Sequence, residues 1–294
     1  MMQTQSRTAG DVAEEVAAQL AAAAVPDAAV DARWLIASFL NVDPWQSPDT
    51  PVALTGALGE AVARRARREP LQLIVGSTAF LDLTIACRPG VFVPRPETEV
   101  LAELAIAAAL ERDSAIVIEP CTGSGAIACA VAAHVPGVTI VATDVDEAAV
   151  ALARDNAITT LEAVSHAAVI KVLQGDLFTP VAPELAGRVD VVVVNPPYLP
   201  ASDVGSWMPE VSDHDPRSAL VAGPDGNETV VRVMHDAHKW LRVDGVVMIE
   251  IDARRADEVV ALARLAGWSD VEVVDDLTRR PRFILLRGPQ ARGA

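Results

Sequence analysis

The chain has 294 residues, 51% of them hydrophobic and 22% charged, which argues against a disordered polymer and provides for one large domain or a medium domain plus a small one. A formal net charge of −16 and a pI near 4.7 argue against a protein that neutralises a long polyphosphate backbone, although a local basic patch stays compatible with them. The cysteines, Cys87, Cys121 and Cys129, are odd in number and form no CxxC pair, so neither a disulfide framework nor a zinc ribbon is indicated and the expected compartment is reducing.

The N-terminal stretch "MMQTQSRTAGDVAEEVAAQL" lacks a basic segment followed by an apolar core, and no apolar run reaches the roughly eighteen residues of a membrane span. A cytoplasmic, soluble protein is expected. Residues 10 to about 70 follow a helical pattern, with Val12, Val16 and Leu20 four apart, then "VDARWLIASFL" and "ALGEAVARRARREP". The last of these carries Arg64, Arg65, Arg67 and Arg68. The simple reading of that island is a solvated helix face; its competitor is a docking surface for an acidic or nucleic-acid-bearing partner.

"STAFLDLTIACRPGVFVPRPETEV" predicts two short strands joined by a turn at Pro89 and Gly90, then a break at Pro94 and Pro96. Beyond it strands and helices alternate. "AIVIE", "TIVAT", "VIKVL", "VDVVVV" and "GVVMIEI" are short apolar strands separated by Ala-rich helical stretches, which implies a parallel sheet covered on both faces. "VEVVD" and "RFILLR" are too close together for a crossover helix and should pair antiparallel. The resulting expectation is an α/β, Rossmann-like methyltransferase sheet. The expected domains are 1–75 (helical), 76–96 (a β-hairpin linker) and 97–294 (methyltransferase).

"VIEPCTGSGAIACAVA" places Glu119 at a strand end and Gly123 and Gly125 in the turn that opens a helix, where the absence of Cβ lets backbone approach a ligand. Asp144 ends the next strand, where a carboxylate can accept both hydroxyls of a ribose. A dinucleotide and another adenosine cofactor satisfy this pattern equally. In "LQGDLF", Asp176 or its neighbouring amide can read an adenine amino group while Leu177 and Phe178 cover the ring; the alternative is a helix N-cap aspartate.

"NPPY", Asn195 to Tyr198, follows the fourth strand and contains the single tyrosine of the chain. Each proline fixes its own φ and restricts the residue before it, so the side-chain oxygen of Asn195 and the carbonyl of Pro196 are two rigid acceptors for the hydrogens of a planar –NH2 group. Tyr198 can stack on the group that carries it. Two acceptors pulling on those hydrogens favour pyramidalisation of a delocalised nitrogen and stabilise the positive charge that develops as it attacks a sulfonium methyl. No separate general base is evident, and the proton is expected to leave through solvent.

The chain resembles the protein-glutamine N-methyltransferases that modify the Gly-Gly-Gln loop of peptide chain release factors. The matching pieces are "RREPLQLIVGSTAF", "FVPRPETEVL", "CTGSGAIA", "ATDVDEAAVALARDNA", "NPPYLP" and "PEVSDHDPRSALVAGPDG". The resemblance implies S-adenosylmethionine as cofactor, contacted by Cys121, Thr122, Gly123, Ser124, Gly125, Asp144, Leu177 and Asn195; Glu119, Val145 and Asp176 are expected beside them in the cofactor site. It implies Asn195, Pro196 and Tyr198 as catalytic residues. Phe92, Arg95, Thr98 and Pro197 would join them in holding the glutamine amide of a release factor, in a cytoplasmic monomer without metal, membrane or direct DNA contact.

Three departures stand out. Pro120 and Cys121 replace the family's Leu-Gly, Asp252 replaces a glycine, and "DLTRRPRF" replaces "DLAGRDRF". They suggest a paralogue with another amide or amine substrate as strongly as drift. NPPY with Glu-Pro also occurs in DNA adenine methyltransferases, but no insertion is available for target recognition and the charge would repel a duplex. A catalytically silent scaffold would have lost Asn195 and Asp144, which are both present. His235, His238 and His214 read as solvated polar residues rather than metal ligands.

Overall fold

The computed structural model describes residues 7–288. Residues 1–6 and 289–294, the outer ends of the two expected terminal domains, lie outside the described residues. The chain divides into two units, the residues up to Ser77 with Met208–His214, and Thr78–Trp207 with the residues from Asp215 onward.

The first unit contains β1 (Arg7–Thr8), α1 (Ala9–Ala22), α2 (Ala28–Leu40), β2 (Pro51–Val52), α3 (Gly56–Ala66) and α4 (Leu71–Val75). A capping box starts α1: Thr8 Oγ1 accepts from the Asp11 amide at 3.2 Å, and Asp11 Oδ2 accepts from the Thr8 amide at 3.1 Å. Val12, Val16 and Leu20 lie on one face of α1 and pack with Leu35 and Ile36 of α2 and Leu58 and Val62 of α3.

In the arginine island at the end of α3, Arg67 is exposed, but the other three arginines are paired with carboxylates. Arg65 is buried, and its Nε donates to Asp31 Oδ2 at 2.6 Å and its Nη1 to Glu210 Oε1 at 2.9 Å. Arg68 donates to both oxygens of Glu210, at 2.6 and 2.7 Å, and Arg64 pairs with Glu69. A charge taken out of water must be paired, and the chain supplies the carboxylates.

The second unit begins at Thr78, within β3 (Ser77–Phe80), which forms a hairpin with β4 (Leu83–Ala86); its turn falls at Leu81 and Asp82, not at Pro89 and Gly90. Leu81, the first of the two turn residues, adopts φ 51°, the sign that favoured two-residue hairpin turns take at that position. Pro89, Pro94 and Pro96 lack an N–H, so the chain beyond β4 forms no ladder.

There follow α5 (Thr98–Leu110), β5 (Ile116–Pro120), α6 (Ala126–His134), β6 (Thr139–Asp144), α7 (Glu147–Ala163), β7 (Val169–Gln174) and β8 (Val189–Val194). After α8 (Pro209–Ser212), which belongs to the first unit, come α9 (Glu228–Trp240), β9 (Leu241–Glu250), α10 (Ala256–Leu265), β10 (Asp270–Asp275) and β11 (Pro281–Arg287). The seven-stranded sheet has the order β10-β11-β9-β8-β5-β6-β7. It is parallel except that β11 runs antiparallel to both β9 and β10.

Alternation along the strands divides the core into two layers. Val117, Val191, Val193, Met248 and Phe283 face the side covered by α5, α6 and α7. Their neighbours Ile118, Val192, Val194, Val247, Ile249 and Ile284 face the side covered by α9 and α10. Both faces being buried explains the unbroken "VDVVVV" of β8. The chain moves outward from β5 through β6 to β7, then returns to β8 on the other side of β5. That reversal leaves a crevice at the carboxyl ends of β5 and β8, the usual ligand position in open α/β sheets.

Candidate active site

The turn after β5 is held from several directions. Glu119 Oε2 accepts from Thr122 Oγ1 at 2.8 Å and from the Ala128 amide at 2.9 Å. Asn156 of α7 donates to the Ser124 carbonyl at 2.9 Å, and the Thr122 amide donates to the Thr143 carbonyl at 3.0 Å. Burial pushes the Glu119 carboxyl up to about 8, against the hydrogen bonds from Thr122 and Ala128, so it keeps a proton at neutral pH.

The two glycines of the turn do different work. Gly123 has φ 56°, and a Cβ there would meet nothing within 4 Å, so its bare backbone faces the crevice. Gly125, at φ 81°, does not line the crevice; a Cβ on it would stand 3.1 Å from Ala153 Cβ, and its role is the close packing of α6 against α7.

At the end of β6, Asp144 accepts from the Gly123 amide at 2.9 Å and from the Asp146 amide at 3.0 Å. Burial raises its pKa, and these amide hydrogen bonds oppose the rise. Thr143 Oγ1 donates to the Leu177 carbonyl at 2.6 Å, tying the segment after β7 to β6. Leu177 and Phe178 are buried and no helix begins after Asp176, so the N-cap alternative has nothing to cap. Asp176 is half-exposed and accepts from Arg232 of α9 at 2.6 Å.

NPPY leaves the end of β8. Asn195 Nδ2 donates to Thr98 Oγ1 at 3.2 Å, Thr98 Oγ1 donates to Glu250 Oε2 at 2.7 Å, and the Tyr198 hydroxyl donates to Glu250 Oε1 at 3.1 Å. Phe92 lies under the guanidinium of Arg95, 4.9 Å from its centroid, and Arg95 is paired with buried Asp215.

All these elements surround one cavity of about 520 Å³, within the range of small-molecule sites. It is lined by Phe92, Thr98, Glu119, Cys121 to Ser124, Asp144, Val145, Asp176, Leu177 and Asn195 to Tyr198. Of the site residues expected from the sequence, Gly125, Arg95 and Phe178 do not line it; Phe178, expected to cover an adenine ring, is buried in the core against Trp240 of α9 instead.

Residues 82–208 match the Methyltransferase small domain, and residues 11–76 match the PrmC N-terminal domain. The chain is 43% identical to the release factor glutamine methyltransferase of Mycolicibacterium smegmatis over 92% of its own length and 94% of the relative's. It belongs to the release factor glutamine methyltransferase family. The Streptomyces coelicolor member is 39% identical over the same shares. A methyltransferase from Pyrococcus furiosus, 18% identical with a TM-score of 0.52, shares the fold over 77% of this chain and 98% of that one.

Two of the family departures acquire a common physical meaning. Cys121 and Arg279 stand where the family motifs carry glycine, and they adopt φ 54° and 62°. Asp252, at φ −68°, carries no such strain; its side chain accepts from the Arg254 amide at 3.0 Å and caps the turn Ala253–Arg255. Cys121 lines the cavity, and burial raises its thiol pKa, so it is neutral. Cys129 is buried in α6.

Sequence reasoning missed Glu250, Arg232 and the segment Pro216–Val221, which contributes Leu220 and Val221 to the cavity. Glu250 had a signal: it is a fourth acid at the carboxyl end of an apolar strand, after Glu119, Asp144 and Asp176. The 216–221 segment carried only the family-like run "PEVSDHDPRSALVAGPDG", and nothing in that pattern tells which sheet edge it covers.

Proposed function

We propose that the chain transfers a methyl group from S-adenosylmethionine to the side-chain amide nitrogen of a protein glutamine, in the Gly-Gly-Gln loop of a cytoplasmic peptide chain release factor. The observation that carries this reading is the position of NPPY: Asn195 and Pro196 open into the same cavity as the glycine turn and Asp144.

The residues fit the cofactor. Asp144 is an acceptor for ribose hydroxyls at a strand end, Gly123 offers backbone without a Cβ, and Leu177 with Val145 supplies apolar surface for an adenine beside the carboxylate of Asp176. Thr122, Ser124 and the neutral Glu119 face the amino-acid portion, and Cys121 narrows the floor of the site. S-adenosylmethionine supplies an electrophilic methyl group on a positively charged sulfur.

Asn195 Oδ1 and the Pro196 carbonyl accept the two amide hydrogens of the substrate, and Tyr198, Pro197 and Phe92 sandwich its plane. Fixing the nitrogen in line with the methyl group contributes on the order of 7–11 kcal/mol toward the barrier. With Glu250, the carboxylate behind Thr98 and Tyr198, already accepting two hydroxyl hydrogens, the proton of the methylated amide departs to solvent. The overall acidity of the chain and the absence of a recognition insertion disfavour duplex DNA as substrate.

The test offers labelled S-adenosylmethionine with, separately, release factor, duplex DNA and small-molecule extract. Label is expected on the release factor glutamine; label confined to the small-molecule fraction would defeat the reading. Asn195→Ala is expected to lower transfer by at least about 10²–10³-fold, with cofactor still bound.

A further inference from the structure

The hydrogen-bond chain behind NPPY has a direction, set by counting hydrogens. A threonine hydroxyl has one hydrogen to give. Thr98 gives its hydrogen to Glu250 Oε2, at 2.7 Å, so toward Asn195 it can only accept. The group facing it must then be the Asn195 amide nitrogen, and the oxygen left for the cavity is Oδ1. The second oxygen of Glu250 takes the Tyr198 hydroxyl. Glu250 and Thr98 are 1% and 4% exposed, so water does not compete for these hydrogens.

We propose that Glu250 is a positioning residue that, through Thr98, dictates which end of the Asn195 carboxamide faces the methyl acceptor, and at the same time pins the Tyr198 ring. The inference rests on the reading of Asn195 as an acceptor of substrate hydrogens. An Asn side chain offers an acceptor on one branch and a donor on the other in nearly the same shape, so packing alone does not choose between them. In its ionised form the carboxylate chooses, because it then has no hydrogen to give. A neutral partner at this position reverses the chain: it can donate to Thr98, Thr98 then donates to Asn195 Oδ1, and Nδ2 hydrogens confront the hydrogens of the substrate amide.

The groups facing Glu250 bear on this. Burial raises its pKa, against the Thr98 hydroxyl, Arg282 of β11 and the Tyr198 hydroxyl, while Glu97 ahead of α5 adds to the rise, and the chain has this direction in the ionised form of Glu250. The acid limb of the activity profile should therefore report protonation of Glu250.

The experiment compares the full chain with Glu250→Gln, Thr98→Val and the double variant, using release factor and S-adenosylmethionine. For each single variant kcat should fall about 10–100-fold, the cofactor dissociation constant should stay within about threefold, and Glu250→Gln should lose the acid limb. The double variant should fall no further than the worse single, because both break one chain. A Glu250→Gln enzyme within about twofold of the parent kcat, or losses that multiply in the double variant, would overturn the proposal.

A second readout needs no methyl acceptor. The Asn195 carboxamide resonances, assigned by their disappearance in Asn195→Asp, should shift in both single variants; unmoved resonances overturn the proposal. Failure of the parent enzyme to methylate release factor would instead strike the substrate reading, with the resonances deciding the hydrogen-bond chain by themselves.

Discussion

The amide N–H of Gly123 donates to Asp144 Oδ2 at 2.9 Å, so the turn after β5 and the end of β6 form one hydrogen-bonded unit. The other carboxylate oxygen is engaged by the Asp146 amide. A carboxylate has about four lone-pair sites, which leaves two for ribose hydroxyls. Asp144→Ala removes those acceptors and releases the turn, and calorimetry should show S-adenosylmethionine affinity weakened about 10–100-fold. Unchanged affinity would mean that Asp144 only braces the loop.

Glu119 predicts a dependence of stability on pH. Its pKa is about 8 in the fold and 4.5 in the unfolded chain, so the native state holds the proton more tightly. The associated stabilisation is complete below about 4.5 and is lost as pH rises through about 8. Thermal unfolding from mildly acidic to mildly alkaline pH should show a steeper decline of Tm for the parent chain than for Glu119→Gln. Parallel curves would contradict a buried, protonated Glu119.

Cys121 and Arg279 invite reversion to glycine. Left-handed backbone costs a residue with a Cβ about 1–2 kcal/mol, partly offset by the greater unfolded-state freedom of glycine, about 0.5–1 kcal/mol. Arg279→Gly should raise stability by up to about 1 kcal/mol in denaturant unfolding. Cys121→Gly also loses packing against the apolar layer around Ile118, so its stability should change little. It does clear the floor of the cavity, and calorimetry should show tighter S-adenosylmethionine binding. Weaker binding would show that the thiol itself contacts the cofactor.

Glu210 ties α8 to Arg65 and Arg68. Burial works to raise its pKa, but the hydrogen bonds from Arg68 and Arg65 prevail and hold it at about 2, below its ordinary 4.5. Its stabilising contribution is present above about 4.5 and is lost as pH falls toward about 2. Glu210→Ala should lower Tm at neutral pH and flatten the acid side of the Tm profile. An unaltered profile would show that Asp31 alone satisfies Arg65.

The covalent pattern alone made the sheet legible. Apolar runs such as "VDVVVV" and "GVVMIEI" specify buried strands because only a strand covered on both faces can bury every side chain. The acids closing those runs mark the carboxyl edge for the same local reason. NPPY was readable too, since proline restricts backbone whatever surrounds it. The hairpin turn was not, because Asp82 follows an apolar Leu81 within a strand-like run while Pro89 and Gly90 form a stronger turn signal, and pairing between β3 and β4 settled the matter.

Relations between distant residues were decided by the tertiary structure alone. Thr98 and Glu250 lie 152 positions apart, and nothing local says that β9 ends beside the first turn of α5. Arg65 looks like a surface residue until Asp31 and Glu210 enclose it. Gly125 fits the cofactor turn by motif, yet its missing Cβ makes room for Ala153. Propensity and periodicity are local properties carried by neighbours along the chain; burial, pairing and the direction of a hydrogen-bond chain depend on which strands the fold brings side by side.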